Sequence, residues 1–153
     1  MKNVDLAWAA GVIDGEACIG AYKHHSSYSL KVEVNSVDPR ICEKLHTLCG
    51  GSLSYKGRQG GVRRPNERRL FTWKCSGNIA GHVLRAVRPY LVIKGEQADI
   101  GLQIAATMQL RPGARRHYTS ALPDHVKSLR AELAQQLKDL KTIEYDSWTT
   151  DFA

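Results

Sequence analysis

The chain has 153 residues, 42% apolar and 24% charged, which reads as a globular chain long enough for one proper core. Its 22 Lys and Arg against 15 Asp and Glu give a formal net charge of +7, so an anionic partner is expected. No run of 18 apolar residues occurs, which excludes a membrane-spanning helix, and Met1-Lys2-Asn3-Val4-Asp5 does not read as the start of a signal peptide.

A first helix is predicted from about Asp5 to Asp14, capped by Asp5 or Asn3. Ala7, Gly11 and Gly15 fall at i, i+4 and i+8, which leaves one helix face almost bare and open to close approach by another backbone. The run ends in Asp14-Gly15-Glu16, with Glu16 beside the unpaired carbonyls of a helix C-terminus. The macrodipole disfavours an anion there by roughly 0.3–1 kcal/mol, so a neighbouring cation is expected.

Two strands follow, Cys18 to Tyr22 and Ser29 to Val34, joined by the polar connection from Lys23 to Tyr28. In the second, Leu30, Val32 and Val34 alternate with Lys31, Glu33 and Asn35, the pattern of a half-buried strand. Asp38-Pro39 opens a second helix as cap and first-turn residue, and Gly50-Gly51 closes it. A third strand begins at Ser52 to Tyr55, and a fourth spans Leu70 to Cys75 with Phe71, Trp73 and Cys75 on one face. Between them, Arg58 to Arg69 carries five arginines against one acid, Glu67, and reads as a glycine-bearing loop.

A third helix is expected near Asn78 to Val87 with Ile79, Val83 and Val87 inward, interrupted at Pro89. A fourth runs from about Lys94 to Leu110. The last, about Asp124 to Ile143, repeats Val126, Leu129, Leu133, Leu137 and Leu140 at three- and four-residue steps. The fold class is therefore α+β in the order αββαββα, followed by extra C-terminal helices. One domain over 1–153 is expected, with a core at about 4–110 and a helical extension at about 111–153. Cys18, Cys42, Cys49 and Cys75 show no metal-site spacing and read as free, mostly buried thiols of a reducing intracellular compartment.

The run Ala9-Ala10-Gly11-Val12-Ile13-Asp14-Gly15-Glu16-Ala17 resembles the motif of the LAGLIDADG homing endonucleases, with Ala9 for the opening Leu, Glu for the final Asp and Ala17 for the closing Gly. Together with the element order, the resemblance covers roughly residues 4 to 110. It implies a saddle-like antiparallel sheet for double-stranded DNA, and an intron-encoded, site-specific double-strand endonuclease. One motif per chain implies a homodimer acting on a long near-palindromic target. The dimer interface would lie along Ala7, Trp8, Gly11, Asp14 and Gly15.

Phosphodiester hydrolysis needs an activated water, a stabilised phosphate and help for the leaving oxygen, which divalent metals supply when carboxylates hold them. Glu16 and the Gly15 carbonyl are the expected ligands, and Mg²⁺ is the expected metal because it accepts few protein ligands. The segment Pro89 to Gln97 is similar to the family's segment carrying a pocket lysine, here Lys94, and Arg40 and Ser36 resemble its remaining polar positions.

Strand parity directs Gly20, Tyr22 and His24, then Lys31, Glu33 and Asn35, then Ser54, Lys56 and Arg58, and finally Arg68, Leu70, Thr72 and Lys74 away from the core. A two-stranded ribbon fits the major groove, so the polar members of this face, with Arg63 and Arg64 of the basic loop, are the expected DNA contacts. Lys141 is placed on phosphate outside the central contact. Two other readings stay open: a maturase binding intron RNA, and a catalytically silent DNA-binding protein on the same fold.

Overall fold

A computed structural model describes residues 2–56, 69–108 and 122–142. The elements are α1 (Asn3–Glu16), β1 (Ala17–His24), β2 (Ser27–Ser36), α2 (Pro39–Cys49), β3 (Ser52–Lys56), β4 (Leu70–Ser76), α3 (Gly77–Val87), a 3₁₀ turn (Arg88–Tyr90), α4 (Gly95–Met108) and α5 (Asp124–Asp139). The expected α+β order is the observed one.

The four strands form an antiparallel sheet in the order β1-β2-β4-β3. Alternation does what it predicted: Ile19, Leu30, Val32, Val34, Trp73 and Cys75 are buried on one face beneath the helices. Gly101 of α4 lies so close to this face that an added Cβ would sit 3.0 Å from Leu30 and Leu84. The sheet ends closely at Gly51. Its φ of +88° and the Lys74 carbonyl, 2.6 Å from where a Cβ would stand, leave room only for glycine.

The connection between β1 and β2 is tighter than its polar composition suggested. Both strands extend inward until only the His25-Ser26 turn remains, with His25 at φ +52°. α1 begins earlier than expected and is capped by Lys2, whose carbonyl accepts from Asp5 and Leu6 N–H, without a side-chain cap. It also runs through Gly15 to Glu16, because Ala17 takes up the extended conformation, φ −80°, that any L-residue tolerates.

Two apolar residues turn out of the core. Ile79 is exposed because the inward stripe of α3 is Ala80, Val83, Leu84 and Val87, a helical turn that leaves position 79 to one side. Leu129 is exposed for the same reason, and Arg130 takes the inward place on α5 with Val126, Leu133 and Leu137. The Arg130 guanidinium donates to Thr107 Oγ1 at 2.7 Å, the Thr107 carbonyl at 3.2 Å and Ser27 Oγ at 3.2 Å, tying α5 to α4 and to the β1–β2 hairpin. The expected end of the fourth helix, Leu110, lies outside the described residues, whereas α5 stops at Asp139, short of the expected Ile143, where the chain turns through Leu140 and Lys141 with the Thr142 N–H on the Asp139 carbonyl. Among the described residues no helix is long and apolar enough to cross a membrane. All four cysteines are free: Cys42 and Cys75 buried, Cys49 partly so, and Cys18 exposed.

Candidate active site

The C-terminal end of α1 meets the N-terminal end of α4, and each supplies the charge the other lacks. The Asp14 carboxylate accepts the backbone N–H groups of Val92 at 2.7 Å and Lys94 at 2.9 Å, at the donor-rich start of α4. In return, the Lys94 ammonium donates to the carbonyls of Ile13, at 3.0 Å, and Asp14, at the acceptor-rich end of α1. Read from sequence, Lys94 sits at the wrong end of a helix for its charge. The fold resolves this by giving the ammonium to a different helix, at the end the macrodipole favours.

These contacts bias both groups. Burial raises the Asp14 pKa, but the N–H groups of Val92, Lys94 and Ile93, with the Lys94 charge, outweigh it and hold it below the usual carboxylate value. For Lys94, burial is the largest influence. It pulls the ammonium below the ordinary lysine value against the attraction of Asp14, Cys18 and Glu16, and the positive charge of Lys141 acts in the same direction as burial.

Glu16 is exposed at the last residue of α1, and no described residue donates a hydrogen bond to its carboxylate. It is thus an acid with free lone pairs in a corner already furnished with a cation. Among the described residues no three ligating side chains of His, Cys, Asp or Glu come together. Among the described residues of this corner Glu16 is the carboxylate without a hydrogen-bond donor, and a divalent ion there would need further oxygen ligands beyond it and the Gly15 carbonyl.

Ser36 and Arg40 lie at the same end of the sheet. Ala17 pairs with Val34, so Ser36 stands two residues past the start of β1. The Ser36 hydroxyl accepts the Asp38 N–H at 3.0 Å, and Arg40 forms a bidentate pair with Asp38, with Nε 2.9 Å from Oδ1. Neither side chain reaches Glu16 or Lys94 in this chain. Both organise the start of α2, where Asp38 also accepts the Arg40 N–H at 3.0 Å as the cap that its sequence foretold.

The bare face of α1 is present as read. Ala7, Gly11 and Gly15 are exposed, and a Cβ added at Gly11 or Gly15 would meet nothing within 4 Å. Trp8 is partly buried, with the Lys44 ammonium 4.2 Å from its ring centre. Beside the helix end, Val92 and Ile93 are 87% and 68% exposed, the most open apolar pair of the described residues.

The second face of the sheet is polar and internally bonded. Lys31 Nζ lies 2.6 Å from Glu33 Oε2 and 3.8 Å from the centre of the Tyr22 ring, Asn35 Nδ2 donates to Glu33 at 3.3 Å, and Thr72 donates to Asn35 Oδ1 at 2.6 Å. Tyr22, Lys31, Glu33, Asn35 and Lys74 reach the surface, and Ser54 lies across the ladder from Thr72. Thr72 itself is 2% exposed, so it supports Asn35 from below instead of facing outward. Lys31 and Lys74 flank a cleft of about 370 Å³ with Ser52 and Ser76. The side chains of His24 and Lys56, and residues Arg58, Arg63, Arg64 and Arg68, lie outside what is described.

Sequence reading missed one member of this corner. Lys141, expected at the periphery, brings its Nζ to 3.3 Å from the Cys18 Sγ, two residues beyond Glu16. The signal was in the α5 stripe: Arg130, Leu133, Leu137 and Lys141 keep helical spacing, so a cation stands in phase with the buried leucines.

No family model matches the chain, and no curated protein matches it in sequence. Solved structures match its fold. The homing endonuclease I-CvuI, in complex with the I-CreI target and uncleaved DNA in the presence of Mg, superposes with a TM-score of 0.65 at 21% identity, over 93% of this chain and 85% of that one. The archaeal intron-encoded homing endonuclease I-Vdi141I complexed with DNA gives 0.66 at 14% identity, over 95% and 89%. The LAGLIDADG homing endonuclease I-SmaMI bound to cleaved DNA gives 0.54 at 17% identity, over 89% of this chain and 42% of that one. The chain has the LAGLIDADG homing-endonuclease fold.

Proposed function

We propose that this chain is a site-specific DNA endonuclease that works as a homodimer, with Mg²⁺, on a long near-palindromic duplex. The observation that carries the reading is Glu16: an exposed carboxylate without a described partner, at the end of a helix whose outer face is bare from Ala7 to Gly15. A second copy packed along that face brings two such carboxylates together, one for each DNA strand. The solved neighbours are endonucleases described with DNA, which supports the same substrate here.

Glu16 and the Gly15 carbonyl would hold the metal, and such an ion, when bound, lowers the pKa of a water and neutralises charge on the phosphate. The chain's own residues do the rest. Asp14 and Lys94 clamp the ends of α1 and α4 together, so the Glu16 carboxylate is presented from a fixed backbone. Lys94 places a positive charge behind it, where a phosphate would gain from it. The polar face of the sheet lies against the major groove, with Lys31 and Lys74 on phosphate and Glu33 and Asn35 at base edges, held in orientation by the Lys31 and Thr72 contacts. Four free thiols are what supports a reducing intracellular compartment for this protein.

The test is cleavage of a randomised duplex library with Mg²⁺, beside Ca²⁺ and a Glu16→Gln variant, followed by sequencing of the ends. The expected result is one enriched near-palindrome, cut only with Mg²⁺ and intact Glu16, with cutting by Glu16→Gln reduced at least a hundredfold while binding in Ca²⁺ persists. A Glu16→Gln chain that cuts as fast as the parent overturns the mechanism. Duplex that is bound but never cut identifies a silent binding protein, and preference for structured intron RNA identifies a maturase.

A further inference from the structure

One cation in the corner has no task in that scheme. Lys141 follows the last turn of α5, with its N–H bonded to the Lys138 carbonyl at 3.1 Å. α5 is fixed to the body by buried Arg130, Leu133 and Leu137, so the place of Lys141 is set by the core. Its ammonium carries three donors, yet its described partner is the Cys18 thiol at 3.3 Å, a weak acceptor, and no described carboxylate pairs with it. Lys94, by contrast, has its donors directed at the carbonyls of Ile13 and Asp14. Lys94 feels the charges of both Glu16 and Lys141, and of these two lysines Lys141 is the one with hydrogen-bonding capacity to offer a ligand.

We propose that Lys141 is a phosphate-binding residue of the active site, resting on Cys18 in the free chain and transferring to the DNA backbone next to the strand held at Glu16. The inference rests on the endonuclease reading for its place in catalysis. The geometry alone supports the phosphate contact: three separate elements, α1, β1 and the end of α5, bring Glu16, Cys18 and Lys141 to one corner. An exposed ammonium beside a strand start on the polar face meets a phosphate without any rearrangement of the core.

The experiment compares the parent with Lys141→Met, Lys141→Arg and, as a charge-matched control on the exposed side of α3, Arg85→Met. Each is measured for the salt dependence of binding in Ca²⁺ and for single-turnover cutting in Mg²⁺, on a duplex that the parent enriches from a randomised library. Lys141→Met is expected to flatten the salt slope by about one phosphate contact and to slow cutting at least tenfold. Lys141→Arg restores most of both, Arg85→Met changes neither, and all variants melt with the parent. If Lys141→Met cuts and binds as the parent does, the inference fails and the endonuclease reading stands. If the parent binds without cutting, the endonuclease reading fails, and the salt slope of Lys141→Met alone upholds or overturns the phosphate contact. A parent that binds no DNA overturns both.

Discussion

Replacing Asp14 with Ala leaves the N–H groups of Val92 and Lys94 without their acceptor and the Lys94 ammonium without its nearest counter-charge. Loss of a helix-capping carboxylate costs about 0.5–2 kcal/mol. Asp14→Ala is therefore expected to lower the unfolding free energy by that amount, read as a lower urea midpoint with the slope of the transition unchanged. An Asp14→Asn chain keeps an acceptor oxygen and loses less. A midpoint equal to the parent's in both variants would show that the junction between α1 and α4 is held by packing alone. The residue that a metal site would use, Glu16, is different in kind: it has no described partner in the chain, so its loss is expected to be felt in chemistry and hardly in stability.

At the level of the element, the start of α2 has a pH signature. The hydrogen bonds from Arg40 hold the Asp38 carboxyl down to about 2, from an ordinary value of 3.8. Because the folded value is the lower one, the cap's contribution is complete above about 4 and is lost as pH falls toward 2. Following the Asp38 carboxyl by NMR should show that titration near 2, and Arg40→Ala should return it toward 3.8. An unshifted titration in Arg40→Ala would assign the depression to the helix start itself. This helix was readable in advance, since Asp-Pro before an apolar stripe and Gly-Gly after it are local signals. So were the strand faces, because alternation is local too. The exposure of Ile79 and Leu129, the burial of Arg130 and the crossing of charges between Asp14 and Lys94 were not readable in the same way. Each depends on which neighbour a helix packs against, and for Asp14 with Lys94 and for Arg130 with Ser27 that neighbour lies 80 and 103 positions away in the chain. The candidate site was legible as a motif around Glu16 and as single positions, but its second lysine, Lys141, was legible only as a lysine in phase with a leucine stripe.

For the whole molecule, the decisive question is whether two chains share the bare face of α1. Gly11 sits in the middle of that exposed face, and within the described residues of one chain a Cβ there would meet nothing within 4 Å. A helical glycine replaced by leucine gains about 0.8–1 kcal/mol of helix propensity. Gly11→Leu thus separates two effects that core mutations confuse: it leaves the chain's own packing intact and fills the space a partner helix would need. The variant is expected to keep the parent's helix and strand content by circular dichroism, to sediment as a monomer where the parent sediments as a dimer, and to lose double-strand cutting. Gly11→Ala, which adds one methyl, is expected to fall between. Val92 and Ile93 belong to the same test, since their exposure beside the helix end leaves an apolar margin that a second copy would cover. If Gly11→Leu and the parent sediment alike and cut alike, α1 is not the dimer seam, and the two Glu16 carboxylates must be brought to the DNA by some other face.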